Sequence, residues 1–211
     1  RAKDQLNSLL RKHNINNTFG GNNEVAERSD TLESIIGHYG DADIALSEDG
    51  ILLRIFTENV RLELNLRRGL AIQSLAFSSH EMEPCIGTLP HGHFSCISLG
   101  ADYYSGGVVV ELPVQRIRFT DLEKVEPRFS LKNNGNIEIS AEIKTPLGII
   151  IKVFEVSVVS EKVSISYAFP KWGEIIGSVR LGVITLLNQF STENTELSLS
   201  NGGKYDEFFD F

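Results

Sequence analysis

Residues 129–143 read FSLKNNGNIEISAEI, and this stretch indicates the fold class. Apolar side chains recur at every second position from Ile137 to Ile143, the period of a strand with one buried face. Asn133-Asn134-Gly135-Asn136 joins this segment to Phe129-Ser130-Leu131, and Asn and Gly tolerate the positive φ of a tight turn. The stretch therefore predicts an antiparallel β-hairpin.

The same pattern extends in both directions from this hairpin. Thr145-Pro146-Leu147-Gly148 predicts the next turn, and residues 149–159 are apolar at nearly every position, which is typical of a central strand covered on both faces. Clean alternation appears again at residues 61–66, 163–169 and 179–183. Many short strands with turns between them and no intervening helical repeat predict an all-β fold, an antiparallel β-sandwich.

The first part of the chain has a different character. Residues 1–13 carry leucines at helical spacing and predict a short N-terminal helix, and residues 14–31 are rich in Asn, Gly and Ser and predict a loop. We therefore predict an N-terminal helix and linker region at 1–49 and one sandwich domain at 50–211. The chain starts at Arg1 and ends at Phe211, and we expect it to be a fragment of a larger protein.

Charge and composition indicate which classes of molecule this chain is suited to bind. The 211 residues carry a formal charge of -8, and no run of Lys or Arg is longer than Arg67-Arg68. This charge distribution disfavours nucleic acid and anionic membranes and fits a neutral ligand. No apolar stretch approaches the length of a membrane-spanning helix, about 20 residues. Cys85 and Cys96 form no disulfide framework, so we predict reduced cysteines and a cytoplasmic location.

Residues 84–107 hold the densest group of residues suited to chemistry, with two prolines, five glycines, two imidazoles and two phenols. His91 and His93 point the same way in an extended segment, but two imidazoles do not complete a metal site. We predict no metal and no cofactor. The histidines remain candidates for hydrogen bonding to sugar hydroxyls, for acid–base work or for a structural role.

Two further segments offer aromatic rings. Asp102, Tyr103 and Tyr104 place a carboxylate beside two phenols. Trp172 lies in a segment without strand periodicity, where we expect it either to be exposed or to close the end of the core. Aromatic faces stack on sugar rings while carboxylates bind hydroxyls. We predict turns at residues 120–123 and 201–204.

Several short motifs resemble one known family, and they lie at residues 68–75, 89–94, 100–106, 117–122, 180–186 and 201–203. Taken in this order, they resemble the β-rich C-terminal region of family-57-type glycoside hydrolases, within the galactose-mutarotase-like sandwiches. The resemblance covers residues 50–211. It implies a sandwich that supports an N-terminal catalytic barrel, which is missing from this chain, and that binds an oligo- or polysaccharide.

Three functions follow as hypotheses. The first is a non-catalytic, sugar-associated sandwich that binds its ligand through a histidine pair, a carboxylate and three aromatic rings: His91, His93, Asp102, Tyr103, Tyr104 and Trp172. The second, implied by the resemblance, is a mutarotase or epimerase with His91 or His93 as acid and Glu111 or Glu207 as base. The third is a purely structural module. The sequence assigns no catalytic residue among these candidates.

Overall fold

The computed structural model describes residues 35–92, 94–187, 196–199 and 207–210, and for the last two ranges the backbone alone. The predicted N-terminal helix and loop, His93 and the turn predicted at 201–204 lie outside these residues. Within the described part of the chain, no helix has the length and apolar character needed to cross a bilayer.

Sheet A is a six-stranded antiparallel meander in which each strand pairs with the next in the chain. Its strands are β1 Gly37–Tyr39, β2 Ala42–Leu46, β3 Leu52–Thr57, β4 Val60–Asn65, β5 Ala71–Phe77 and β6 Pro84–Gly87. The boundary predicted between residues 49 and 50 falls between β2 and β3, which are paired from Ala42 opposite Thr57 to Leu46 opposite Leu53. Sheet A thus begins at Gly37.

Sheet B is three-stranded, with β7 at its centre. Its strands are β7 Gly107–Leu112, β8 Ile117–Thr120 and β13 Ser178–Val183. Two 3-10 helices lie in the connections before it, at Ser78–His80 and Ile97–Tyr103. A separate antiparallel pair is formed by β14 Glu196–Leu199 and β15 Glu207–Asp210.

Sheet C contains the hairpin that the sequence predicted most sharply. Its strands are β9 Arg128–Leu131, β10 Ile137–Thr145, β11 Gly148–Val156 and β12 Val163–Ala168, all antiparallel. Gly135, in the β9–β10 turn, has φ 81°, the left-handed conformation that Gly adopts without steric cost. The predicted hairpin and the predicted turn at 145–148 are both confirmed.

One hydrophobic core joins the three larger sheets. Leu62 of β4, Val110 of β7 and Ile139 of β10 are fully buried members of the same packed cluster. Each such side chain stabilises the fold by about 1.5–3 kcal/mol relative to leaving it exposed. The layered antiparallel sheets confirm the predicted all-β sandwich class.

Strand β11 differs from its prediction. Its burial alternates, with Ile150, Lys152, Phe154 and Val156 buried and the residues between them half-buried. It is an interior strand of sheet C, but its second face is only partly covered. The prediction that both faces of this strand are covered is therefore too strong. One of its buried positions is occupied by a lysine, Lys152.

Candidate functional site

The 3-10 helix Ile97–Tyr103 lies over the outer face of sheet B. Val108 and Val110 of β7 point into the main core, so Val109 between them points to the other side. There Val109 packs with Ala101 and with Tyr104, which follows the 3-10 helix, in a second, smaller apolar cluster. This packing fixes the segment that contains Asp102 and Tyr103 above the sheet.

Charged side chains emerge from the same face of sheet B. Arg180 of β13 is the cross-strand partner of Val109, and Glu111 of β7 is the partner of Arg118 on β8. Cross-strand partners share a face, and residues two apart on one strand also share it. The strand register therefore places Glu111, Arg118 and Arg180 beside the 3-10 helix, next to Asp102.

These four side chains form one ion-pair network, which we call the sheet B network. Arg180 Nη1 donates to Asp102 Oδ1 at 3.1 Å, and Arg118 Nη2 lies 3.7 Å from Asp102 Oδ2. Glu111 Oε1 lies 3.4 Å from Arg118 Nε and 3.8 Å from Arg180 Nη2. The four side chains are 31–56% exposed, so the network is accessible at the surface.

An aromatic group adjoins the network through Tyr103, the residue after Asp102. The His91 ring centroid lies 5.0 Å from that of Tyr103 and 5.4 Å from that of Phe94. Tyr104 meets the His91 ring edge-on at 5.2 Å. Gly100 lets the Phe94 ring approach the 3-10 helix, because a Cβ there would lie 2.9 Å from a ring carbon.

One polar atom of this aromatic group already makes a hydrogen bond within the protein. His91 Nδ1 lies 2.8 Å from the carbonyl oxygen of Gly92. A carbonyl only accepts, so this contact requires a hydrogen on Nδ1 and leaves Nε2 of the neutral ring as an acceptor. His91 and Tyr103 are half-buried, whereas Tyr104 is buried, at 7% exposure. Phe94 is half-buried as well, so His91, Phe94 and Tyr103 are the rings with accessible surface.

Trp172 belongs to a different aromatic group. Its ring centroid lies 4.7 Å from that of Phe169 and 6.3 Å from that of Phe119, and it packs against the main core. The indole is half-buried rather than exposed as predicted, because Phe119 and the β10–β11 turn cover it. Among the described residues, no ring contact connects Trp172 with Tyr103.

Three other site residues were predicted from the sequence, and the structure describes the side chain of one of them. Glu111 lies in the sheet B network, while His93 and the side chain of Glu207 lie outside the described residues. Within the ranges that the structure describes, no group of three His, Cys, Asp or Glu side chains is arranged to hold a metal ion.

The two cysteines are free thiols in different environments. Cys85 is buried, and burial raises the pKa of its thiol. Cys96 is exposed, and the Ser98 hydroxyl, 2.8 Å from its sulfur, lowers the pKa of that thiol. The backbone N–H groups of Ser98 and Leu99 lower this pKa further, and Arg118 of the sheet B network has the smallest effect.

A separate depression of about 750 Å³ lies beside the β1–β2 hairpin. Its lining includes His38, Asp41, Phe56 and Glu58, and it contains none of the ligand residues predicted from the sequence. His38 Nδ1 lies 2.7 Å from Asp43 Oδ1 at its rim. This depression is the alternative location against which the candidate surface must be tested.

The sequence did not single out two arginines of the sheet B network. Arg118 and Arg180 lie far from Asp102 in the chain and join it through strand pairing. The alternating pattern at 179–183 did indicate that Arg180 faces away from the core. The missing signal was the register between strands, which a single sequence does not contain.

Comparison of the chain with models of protein families, with curated proteins and with solved structures gave no match. The fold and the surface geometry therefore carry the functional argument.

Proposed function

We propose that this chain is a carbohydrate-binding β-sandwich domain and that the sheet B network, with Tyr103 and His91, is its ligand surface. The observation that supports this proposal is the position of Tyr103. It follows Asp102 directly, so an accessible aromatic ring adjoins four partly exposed charged side chains on one face. The combination provides apolar and polar contacts side by side.

Both kinds of contact match the surface of a sugar ring. The C–H face of a pyranose stacks on an aromatic ring, and its hydroxyls donate to carboxylates and accept from guanidinium groups. Asp102 and Glu111 supply the acceptors, and Arg118 and Arg180 supply the donors. A hydroxyl can bridge the two ions of a pair because it donates and accepts at once.

The charge balance favours a neutral ligand. Two carboxylates and two guanidinium groups cancel within the network, and the whole chain carries a formal charge of -8. A polyanion would gain little from such a surface, since its binding depends on unpaired basic side chains. An uncharged oligosaccharide requires no net charge.

The finer part of the proposal rests on the sequence resemblance. Motifs at residues 89–94 and 100–106, which resemble a family-57-type glycoside hydrolase, include His91, Asp102 and Tyr103 of this surface. We therefore propose that the parent protein processes a polysaccharide and that this domain holds the glycan for a separate catalytic domain. The proposed surface does not include Trp172, whose ring contacts are with Phe119 and Phe169.

The test is a glycan-array screen followed by calorimetric titration with maltooligosaccharides. Tyr103→Ala removes the stacking ring and Arg180→Ala removes the donor to Asp102; each should weaken binding about tenfold, the effect of losing about 1.4 kcal/mol. Tyr103→Phe keeps the aromatic face and should retain most of the affinity.

Phe56→Ala is the matched control, since it removes a half-buried ring from the separate depression. It should leave the affinity unchanged. Absence of binding to any arrayed glycan, or loss of binding in Phe56→Ala but not in Tyr103→Ala, would contradict the proposal.

A further inference from the structure

Lys152 and Asp121 meet in the interior, where neither side chain is exposed. Lys152 Nζ lies 2.5 Å from Asp121 Oδ2 and donates to the carbonyl oxygen of Gly69 at 2.7 Å. Asp121 Oδ1 accepts from the backbone N–H of Val108 at 2.8 Å. Oδ2 makes no hydrogen bond of acceptable geometry among the described residues, and its ion-pair partner is Nζ.

Full burial is unfavourable for both ions of this pair. Loss of water around the carboxyl raises the pKa of Asp121, and loss of water around the amine lowers the pKa of Lys152, although their mutual attraction opposes both shifts. Both directions favour the uncharged forms, a carboxylic acid and an amine. These are the forms in which an amine attacks a carboxyl carbon.

We propose that Asp121 and Lys152 condense into an intramolecular isopeptide bond that links the segment after β8 to β11. Nζ forms a bond to Cγ of Asp121, and the Cγ–Oδ2 bond breaks. One proton passes from Nζ to Oδ2, which already carries the acid proton, and Oδ2 leaves as water. No atom is oxidised or reduced, and no further reactant is required.

The neighbouring groups favour this reaction at each stage. The Val108 N–H points at Oδ1, the atom that carries the negative charge of the tetrahedral intermediate. The Gly69 carbonyl fixes the direction of Nζ, and the contact at 2.5 Å allows the proton to pass directly to Oδ2. The dry interior excludes the water that hydrolysis would need.

The product also leaves fewer buried polar atoms without a hydrogen bond than the reactants do. Its amide oxygen, the former Oδ1, still accepts from Val108, and its N–H still donates to Gly69. The atom that leaves is Oδ2, the oxygen without a hydrogen bond. The reaction thus replaces a buried ionisable pair with one neutral amide that keeps both hydrogen bonds.

The experiment is mass spectrometry of the denatured full-length chain with tryptic mapping. The intact mass should fall below the sequence mass by one water. Trypsin does not cleave after an amide-linked lysine, so the map should contain residues 119–124 joined to residues 145–162. Mapping is essential, because cyclisation at Asp49-Gly50 would remove the same mass without joining two peptides.

Lys152→Arg is the matched variant, since its guanidinium keeps the charge but is a poor nucleophile. It should show the full sequence mass and separate peptides at residues 119 and 145. A wild-type chain at full mass, with free peptides 119–124 and 145–152, would overturn the proposal. The tryptic map of the wild-type chain shows whether the isopeptide bond is present, even where Lys152→Arg does not fold.

Discussion

Lys152 and Asp121 connect three sheets through one buried contact. Lys152 lies on β11 of sheet C, and Asp121, just after β8 of sheet B, accepts from Val108 of β7. Lys152 also donates to Gly69, in the β4–β5 turn of sheet A. A pair that links every larger sheet of the sandwich should dominate the stability of its centre.

Lys152→Met tests this role. Methionine fills a similar volume but leaves the Asp121 carboxyl buried without its partner. The variant also lacks the proposed isopeptide bond, so the free energy of unfolding should fall by at least about 3 kcal/mol. Urea denaturation measures this change, and Lys144→Met, at an exposed position of β10, is the control that should change it little. A loss at position 152 below about 1 kcal/mol would remove the pair from the account of stability.

Gly69 provides a second test of the same centre. Its φ is 59°, and a Cβ there would lie 1.9 Å from the carbonyl oxygen of Asp121. Gly69→Ala should destabilise the fold by more than about 3 kcal/mol, since backbone strain of about 1–2 kcal/mol and a backbone clash add together.

Gly40→Ala separates these two effects. Gly40 has a similar φ of 63°, but no atom lies within 4 Å of a Cβ placed there. Thermal unfolding should show the backbone strain alone, about 1–2 kcal/mol. Equal losses in both variants would mean that the close approach of Gly69 to Asp121 does not matter.

Cys96 tests the hydrogen bond that lowers the pKa of an exposed thiol beside the candidate surface. Because the Ser98 hydroxyl and Arg118 lower the pKa of Cys96 below its usual 9.0, its thiolate fraction at neutral pH is raised. Iodoacetamide should label Cys96 well before the buried Cys85. Ser98→Ala raises the Cys96 pKa again and should slow labelling several-fold at pH 7.5, with little effect far above pH 9. An unchanged labelling rate in Ser98→Ala would contradict the role of the Ser98 hydroxyl in lowering the Cys96 pKa.

Local patterns predicted much of the fold. The Asn-Gly turn before Ile137 and the alternation at residues 61–66 act within one hairpin or strand, so one sequence is sufficient to show them. The short strands β1 and β2 gave no such pattern and were assigned to a linker. Their strand structure follows from the pairing of β2 with β3 and of β1 with β2.

Interactions between distant segments were not predictable in this way. Asp121 was expected in a turn, but its burial depends on Lys152, which enters from another sheet. Trp172 was expected to be exposed, but Phe119 of β8 covers it. In the candidate site, His91, Asp102 and Tyr103 are close in sequence and were found together, whereas the arginines required the register of sheet B.

The location of the ligand surface is the central claim, and amide chemical-shift mapping by NMR tests it most directly. Titration with a maltooligosaccharide should shift the amide signals of residues 91–92, 100–104, 111, 118 and 180, which belong to the sheet B network and its aromatic group. Shifts confined to the depression around His38 and Phe56, or no shifts at saturating sugar, would contradict the claim.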